Sequence, residues 1–193
     1  MKIERLAEIE TTDIQIGDRI HVDHYTATCQ EITPKGALFL MDQYLDKPMV
    51  MNKENTNKGG YAKSDLREAL QSEEVLNIFA DIRDHMVPFD NGDLLRIPFA
   101  GELFDNLLKW CEPDGHEQWP LMRDRRNRLA SRCGEYEWGW LQSKDKSSPT
   151  NFYHVNGSGG ISAWGASVVT GVRLAFLIAT YRKNKEEAEK CHS

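Results

Sequence analysis

The sequence predicts an α+β fold in which two or three short helices pack against a small, mostly antiparallel twisted sheet. Three observations carry that expectation. Short apolar runs bounded by turn residues recur at both ends of the chain: ALFLM at 37–41, NFYHV at 151–155 and a longer run from Val172 to Ala179. Such runs read as strands. The turns between them, Thr33-Pro34-Lys35-Gly36 and Asn156-Gly157-Ser158-Gly159-Gly160, have hairpin chemistry, because proline presets φ and Asn and Gly tolerate positive φ. The middle of the chain instead spaces its apolar residues at helical intervals behind capping serines.

From the N-terminus, Arg19–Ile32 reads as one strand, with Ile20, Val22 and His24 alternating against polar neighbours. After the turn at Thr33–Gly36, Ala37–Met41 is continuously apolar, as expected of a strand buried on both faces. Asn52–Gly60 is a polar loop. Ser64 caps a helix over Asp65–Leu70, whose Leu66 and Leu70 share a face. Ser72 caps a second, with Glu73 and Glu74 in the first turn, where the helix dipole favours acids. Val75, Leu76, Phe79 and Ile82 form its core face, and Pro88 ends it. An Asn91-Gly92 turn leads into a short strand over 93–98, and residues 101–110 form a helix with Leu103, Leu107 and Trp110 on one stripe. Residues 111–132 are loop-like and charged. The C-terminal stretch returns to strands: Trp138–Leu141, then 151–155 and 161–164 around the glycine-rich turn, and last Val172–Ala179, apolar apart from Arg173.

Composition narrows the classes of function. The chain has 193 residues, of which 40% are hydrophobic and 28% charged; it is long enough for one well-buried core and short for two. One domain is expected over residues 1–180, followed by a charged tail at 181–193. The net charge of −6 disfavours a chain-wide footprint on nucleic acid or an anionic membrane, both of which need positive potential. No apolar run is long enough to span a bilayer. The acidic and polar residues that follow Met1-Lys2-Ile3-Glu4-Arg5 do not supply the apolar region of a signal peptide, so a cytoplasmic protein is expected. Cys29, Cys111, Cys133 and Cys191 are scattered without a CxxC pair, which speaks against a zinc knuckle or redox motif and for thiols, with Cys29 buried in its strand.

The blocks Gly17-Asp18, Ser64-Asp65-Leu66-Arg67 with Leu70 and Phe79, Trp138-Gly139-Trp140-Leu141-Gln142-Ser143 and Gly171-Val172-Arg173-Leu174-Ala175-Phe176 resemble, in order and spacing, the DUF6273 family of bacterial and prophage domains of unknown function. The resemblance covers about residues 14 to 180. Gln142 stands where that family usually has arginine, and Leu174 where it usually has proline. The C-terminal block also looks like that of C-type-lectin-fold proteins, including the formylglycine-generating-enzyme-like group and the variable proteins of diversity-generating retroelements. The resemblance therefore implies a C-type-lectin-like fold, and incorporation in a phage particle as one setting for the chain.

Individual side chains refine this picture. Arg173, inside an apolar strand, must find a partner; a carboxylate of the helical half, Asp65 or Glu68, is expected. Trp138 and Trp140 should share a face, with at least one in the core, whereas Trp164 behind the turn should be exposed. Tyr153 and His154 should point to opposite faces of their strand. No metal or other cofactor is expected: His154 has no neighbouring ligands in sequence, and the closest approach to a lectin calcium motif, Glu112-Pro113-Asp114, is misplaced in the chain. Cys111 and Cys133 lack the motif of the formylglycine-generating group, and Arg132 beside Cys133 is weak support for a reactive thiolate, so no enzyme is expected. The basic cluster Arg123, Arg125, Arg126, Arg128 and Arg132 is the one candidate for gripping phosphates, with a solvated face as the plainer reading. The function that emerges is a non-catalytic binding or interaction module. It would show a C-terminal hairpin surface (Asn151, Tyr153, His154, Asn156, Ser158, Ser162 and Trp164) to a protein or carbohydrate ligand. The alternatives are a structural, homo-oligomeric component of a prophage particle and an enzyme of the formylglycine-generating-like group.

Overall fold

The structure, a computed structural model, describes residues 13–105 and 114–180. Its first strands are β1 (Arg19–Val22), β2 (Tyr25–Thr33) and β3 (Gly36–Met41). The expected single strand over 19–32 is thus two, folded back on each other with Val22 opposite Tyr25. The break is local chemistry: Asp23 adopts φ 53°, which an aspartate tolerates better than most residues. The ring of His24 bridges Asp23 (Nδ1, 2.8 Å) and Asp46 (Nε2, 3.1 Å). The Thr33–Gly36 turn forms as expected, and the Thr33 hydroxyl accepts from the amides of Lys35 and Gly36.

Ser64 caps α1 (Asp65–Leu70) by accepting the amide of Arg67 at 3.1 Å. The next helix begins as α2 (Glu73–Leu76) but tightens into 3-10 geometry over Asn77–His85, with Phe79 at non-helical angles. It has therefore already ended before Pro88, where β4 (Met86–Val87) begins. The segment 93–98 is not a strand beyond one bridge between Arg96 and Ala175. Of the helix expected over 101–110, the described residues form a single turn, α3 (Ala100–Leu103), after which Phe104 is extended; residues 106–110, with Leu107 and Trp110, lie outside the described residues. Two 3-10 turns, Pro120–Arg123 and Arg125–Arg128, precede the two-residue strands β5 (Ser131–Arg132) and β6 (Glu135–Tyr136). The chain closes with β7 (Gly139–Lys144), β8 (Asn151–Val155), β9 (Ile161–Gly165) and β10 (Ala175–Ile178).

All of β3 is buried, and its alternation explains the architecture. Ala37, Phe39 and Met41 face one apolar cluster, Leu38 and Leu40 the other; a strand with two apolar faces demands cover on both. The five-stranded sheet runs β1-β2-β3-β10-β4, antiparallel throughout. Leu66, Leu70, Val75, Leu76 and Phe79 of the helical half cover its first face. Leu103, Trp119 and Met122, with Leu141, Tyr153 and Val155 of the β7-β8-β9 sheet, cover the second. The other face of that three-stranded sheet sends Trp140 and Phe152 into the first cluster, so both cores meet around the C-terminal half.

Arg173 is buried, as its position implies, but neither Asp65 nor Glu68 is its partner. Its Nε–H donates to the Met41 carbonyl at 2.6 Å, and Nη1 donates to the carbonyls of Asn127 (3.1 Å) and Arg128 (3.4 Å). Asp65 instead accepts the Lys53 amide. The guanidinium satisfies backbone acceptors where β3 and the 125–128 turn meet, and burial lowers its pKa against the opposing pull of Tyr44 and Asp42. Cys29 is fully buried, Cys133 is exposed, and Cys111 and the 181–193 tail lie outside the described residues. Among the described residues no helix is long and apolar enough to cross a membrane.

Candidate functional site

The three-stranded sheet sorts the expected site residues by face. The pairings Phe152–Trp164 and His154–Ser162 put these four side chains on one face; Tyr153–Ala163 and Val155–Ile161 occupy the other. Tyr153 is therefore buried in the second core and cannot meet a partner at the surface. Asn151 sits at the far end of the hairpin, half-buried, its carbonyl receiving the Asn57 side-chain amide at 3.1 Å. Asn156 and Ser158 form the tip, where the Asn156 carboxamide oxygen accepts from the amides of Ser158 and Gly160 (both 3.0 Å) and from the Ser158 hydroxyl (2.8 Å). Arg125 then clamps the tip, donating to the Ser158 carbonyl (2.6 Å) and hydroxyl (2.8 Å). A Cβ on Gly159 would lie 2.6 Å from the Arg125 carbonyl oxygen, which is why a glycine occupies the closest point of that contact.

The face carrying His154 is built differently. The His154 ring is 0% exposed. Trp138 stacks on it at 5.2 Å and 10°, Trp164 lies at 4.9 Å and 37°, and Trp140 meets it edge-on at 6.3 Å. Trp138 and Trp164 touch each other at 3.8 Å between centroids. Neither imidazole nitrogen has a hydrogen-bond partner among the described residues, an uncommon condition for a buried polar group. Burial alone pushes its pKa down to about 4, so the ring is neutral near pH 7 and presents one N–H donor and one nitrogen acceptor.

The tryptophans divide as expected in part. Trp138 and Trp140 both lie against His154 and so share a side, and Trp140 is core, its indole N–H donating to the Met49 carbonyl at 2.9 Å. The exposed one is Trp138, at 38%; Trp164, expected outside, is half-buried against the first core. Tyr136 is 67% and Val169 59% exposed, and with Trp138 and Val168 they make up four of the six exposed large apolar side chains among the described residues. The two segments run close in backbone: the Gly171 amide donates to the Trp138 carbonyl, and Gly157 lies beside both the Trp138 ring and the Tyr136 carbonyl. None of Tyr136, Trp138, Val168 and Val169 belongs to the expected site. The alternation Tyr136, Trp138, Trp140 was the available signal, whereas nothing local marks the two valines of a loop as neighbours of Trp138.

The arginine cluster is largely committed to the protein itself. Arg126 pairs with Asp124 and Arg132 with Glu137. Arg128 donates to the Met122 carbonyl and covers the Phe104 ring, and Arg125 holds the hairpin tip. Arg123 is exposed. Among the described residues no group of three or more His, Cys, Asp or Glu side chains is placed to hold a metal ion.

Comparison of the chain with family models, with curated proteins and with solved structures finds no match in any of the three. The class defined by the fold and the site is thus an α+β protein with antiparallel sheets and a tryptophan-rich face on its C-terminal hairpin.

Proposed function

We propose that the chain is a non-catalytic interaction module, C-type-lectin-like and of the DUF6273 type, which displays its C-terminal hairpin face to a protein or carbohydrate partner. The observation that supports this is the exposure of Tyr136, Trp138, Val168 and Val169 on the segments that flank the hairpin. Contiguous exposed apolar surface, aromatic above all, is what recognition surfaces use. Ser158 and Ser162 on the hairpin are exposed as well. The neighbouring hairpin is held by the Asn156 turn and the Arg125 clamp, and a pre-formed surface lowers the entropic cost of binding.

Peptide and glycan arrays probed with the full chain test the reading. Binding to members of either class is expected, weakened by Trp138→Ala and by Val169→Asp. The valine change lies at an open surface and leaves the fold intact. Arrays that stay blank, or binding indifferent to both substitutions, would overturn the proposal.

A further inference from the structure

We infer that the open edge of β9 pairs antiparallel with β9 of a second copy of this chain, joining two three-stranded sheets into one across a twofold axis. The inference goes beyond the interaction-module reading, because it stands on the backbone of a strand edge and not on the exposed apolar side chains. Among the described residues β9 pairs on one side alone, with β8. Two hydrogen bonds that bracket this ladder fix its alternation: the Asn156 amide donates to the Gly160 carbonyl, and the Ala166 amide to the Thr150 carbonyl. The backbone groups of Ser162 and Trp164 therefore turn toward β8, and those of Ile161, Ala163 and Gly165 turn away from it. The Gly165 carbonyl takes the Val168 amide, which leaves Ile161 and Ala163 to present donors and acceptors outward.

Such an edge is a template for another strand, and proteins ordinarily blunt it with charge, proline, a bulge or brevity. The other edges of the two larger sheets are blunted or covered. β1 carries Arg19 and His21, and β4 is two residues long. The outer side of β7 is occupied, its Trp140 amide by the Gly171 carbonyl and its Gln142 amide by the Pro98 carbonyl. In contrast, β9 reads Ile-Ser-Ala-Trp-Gly, without charge or proline, in unbroken register with β8. All five of its residues are half-buried or exposed.

The order of side chains along β9 selects its occupant. A second β9 laid antiparallel with Ser162 opposite Ser162 puts Ile161 opposite Ala163 and Trp164 opposite Gly160. In that register the outward groups of Ile161 meet those of Ala163, and each such pair exchanges both hydrogen bonds. Each large side chain faces a small one or none, and no like charges meet. Trp138, exposed and 3.8 Å from Trp164 between ring centroids, adds apolar surface beside the edge strand. A contact of this size belongs to weak, reversible complexes, so it is read as a dependence on concentration.

Sedimentation equilibrium of the full chain, run over a roughly hundredfold range of concentration, tests the pairing. The average mass should rise from that of one chain toward that of two, and solvent exchange of the Ile161 and Ala163 amides should slow as it does. Ser162 is exposed, so its replacement leaves the fold intact. Ser162→Lys and Ser162→Glu each set like charges against each other at the axis and should weaken association by about five- to tenfold. An equimolar mixture of the two variants should recover it, because the charges then attract. A mass that stays at one chain throughout, association indifferent to both substitutions, or Ile161 and Ala163 amides whose exchange ignores concentration would overturn the inference. The wild-type exchange measurement decides the matter should a variant not fold. Protection of those amides by an array peptide in the monomeric chain would also overturn it, marking the edge as a place for a foreign strand. Blank peptide and glycan arrays beside a self-pairing β9 would remove the interaction module and leave this inference standing.

Discussion

At neutral pH the His154 ring is uncharged, and that state has a measurable consequence. Its pKa is about 4 in the folded chain and about 6.5 in an unfolded one. Above about pH 6.5 neither state binds the proton, so the residue adds no pH dependence. As pH falls below that value the unfolded chain takes up a proton that the native chain refuses, and stability declines until about pH 4. Between about pH 7.5 and about pH 4.5 the loss is roughly 2–3 kcal/mol. Urea denaturation of the wild-type chain at those two pH values should show this loss, and His154→Phe should lack that part of it. His24 works in the opposite sense, its pKa raised mainly by the hydrogen bond to Asp23, so the comparison with the variant is what isolates His154. Equal pH dependence in the two chains would contradict the burial described. Arg173 is the second residue whose environment decides its role. It carries its charge into the core, where it meets carbonyl oxygens of Met41, Asn127 and Arg128, so it ties a strand to a turn distant in sequence.

Among the elements, β7 is seated by a wedge. The buried Tyr44 ring occupies the space that side chains at Gly139 and Gly171 would need: a Cβ on Gly139 would land on the ring, and one on Gly171 would lie 2.7 Å from its Cγ. The two glycines bridge each other in parallel, and burial pushes the Tyr44 pKa up to about 12. The glycines of the Trp138-Gly139-Trp140 and Gly171-Val172-Arg173 blocks therefore serve packing against one tyrosine. Gly139→Ala should cost about 3 kcal/mol, because overfilling a packed core forces backbone or side chain to move. For a chain of this length that lowers the melting temperature by roughly 6–12 °C. Adding Tyr44→Leu should recover part of the loss. A thermal melt of Gly139→Ala that overlays the wild type would show the wedge to be soft.

For the whole molecule, the decisive fact is that both apolar clusters are built on opposite faces of one sheet, with β3 and β10 contributing to each. Neither cluster can lose its packing without uncovering strands that the other depends on. The chain should therefore unfold in one transition, with tryptophan fluorescence, to which Trp138, Trp140 and Trp164 of the C-terminal face contribute, and far-UV circular dichroism giving the same urea midpoint. Two separated transitions would mean that the β7-β8-β9 sheet is an independent unit.

What the sequence by itself determined is local. The Ser64 cap, the Thr33–Gly36 and Asn156–Gly160 turns, the two-sided burial of Ala37–Met41 and the opposite facing of Tyr153 and His154 all follow from residue chemistry within a few positions, and all are present. The tertiary structure decided what depends on distant partners. The turn α3 stops at Leu103, where Phe104 turns extended into the second cluster. The candidate surface shifts from the hairpin strand to Tyr136, Trp138, Val168 and Val169. Arg173 shows the division most plainly: the apolar run around it required a partner, but only the approach of the 125–128 turn to the end of β3 made that partner a set of backbone carbonyls. The same holds for His154, whose position in a strand was legible, while its enclosure by three tryptophans is a product of packing.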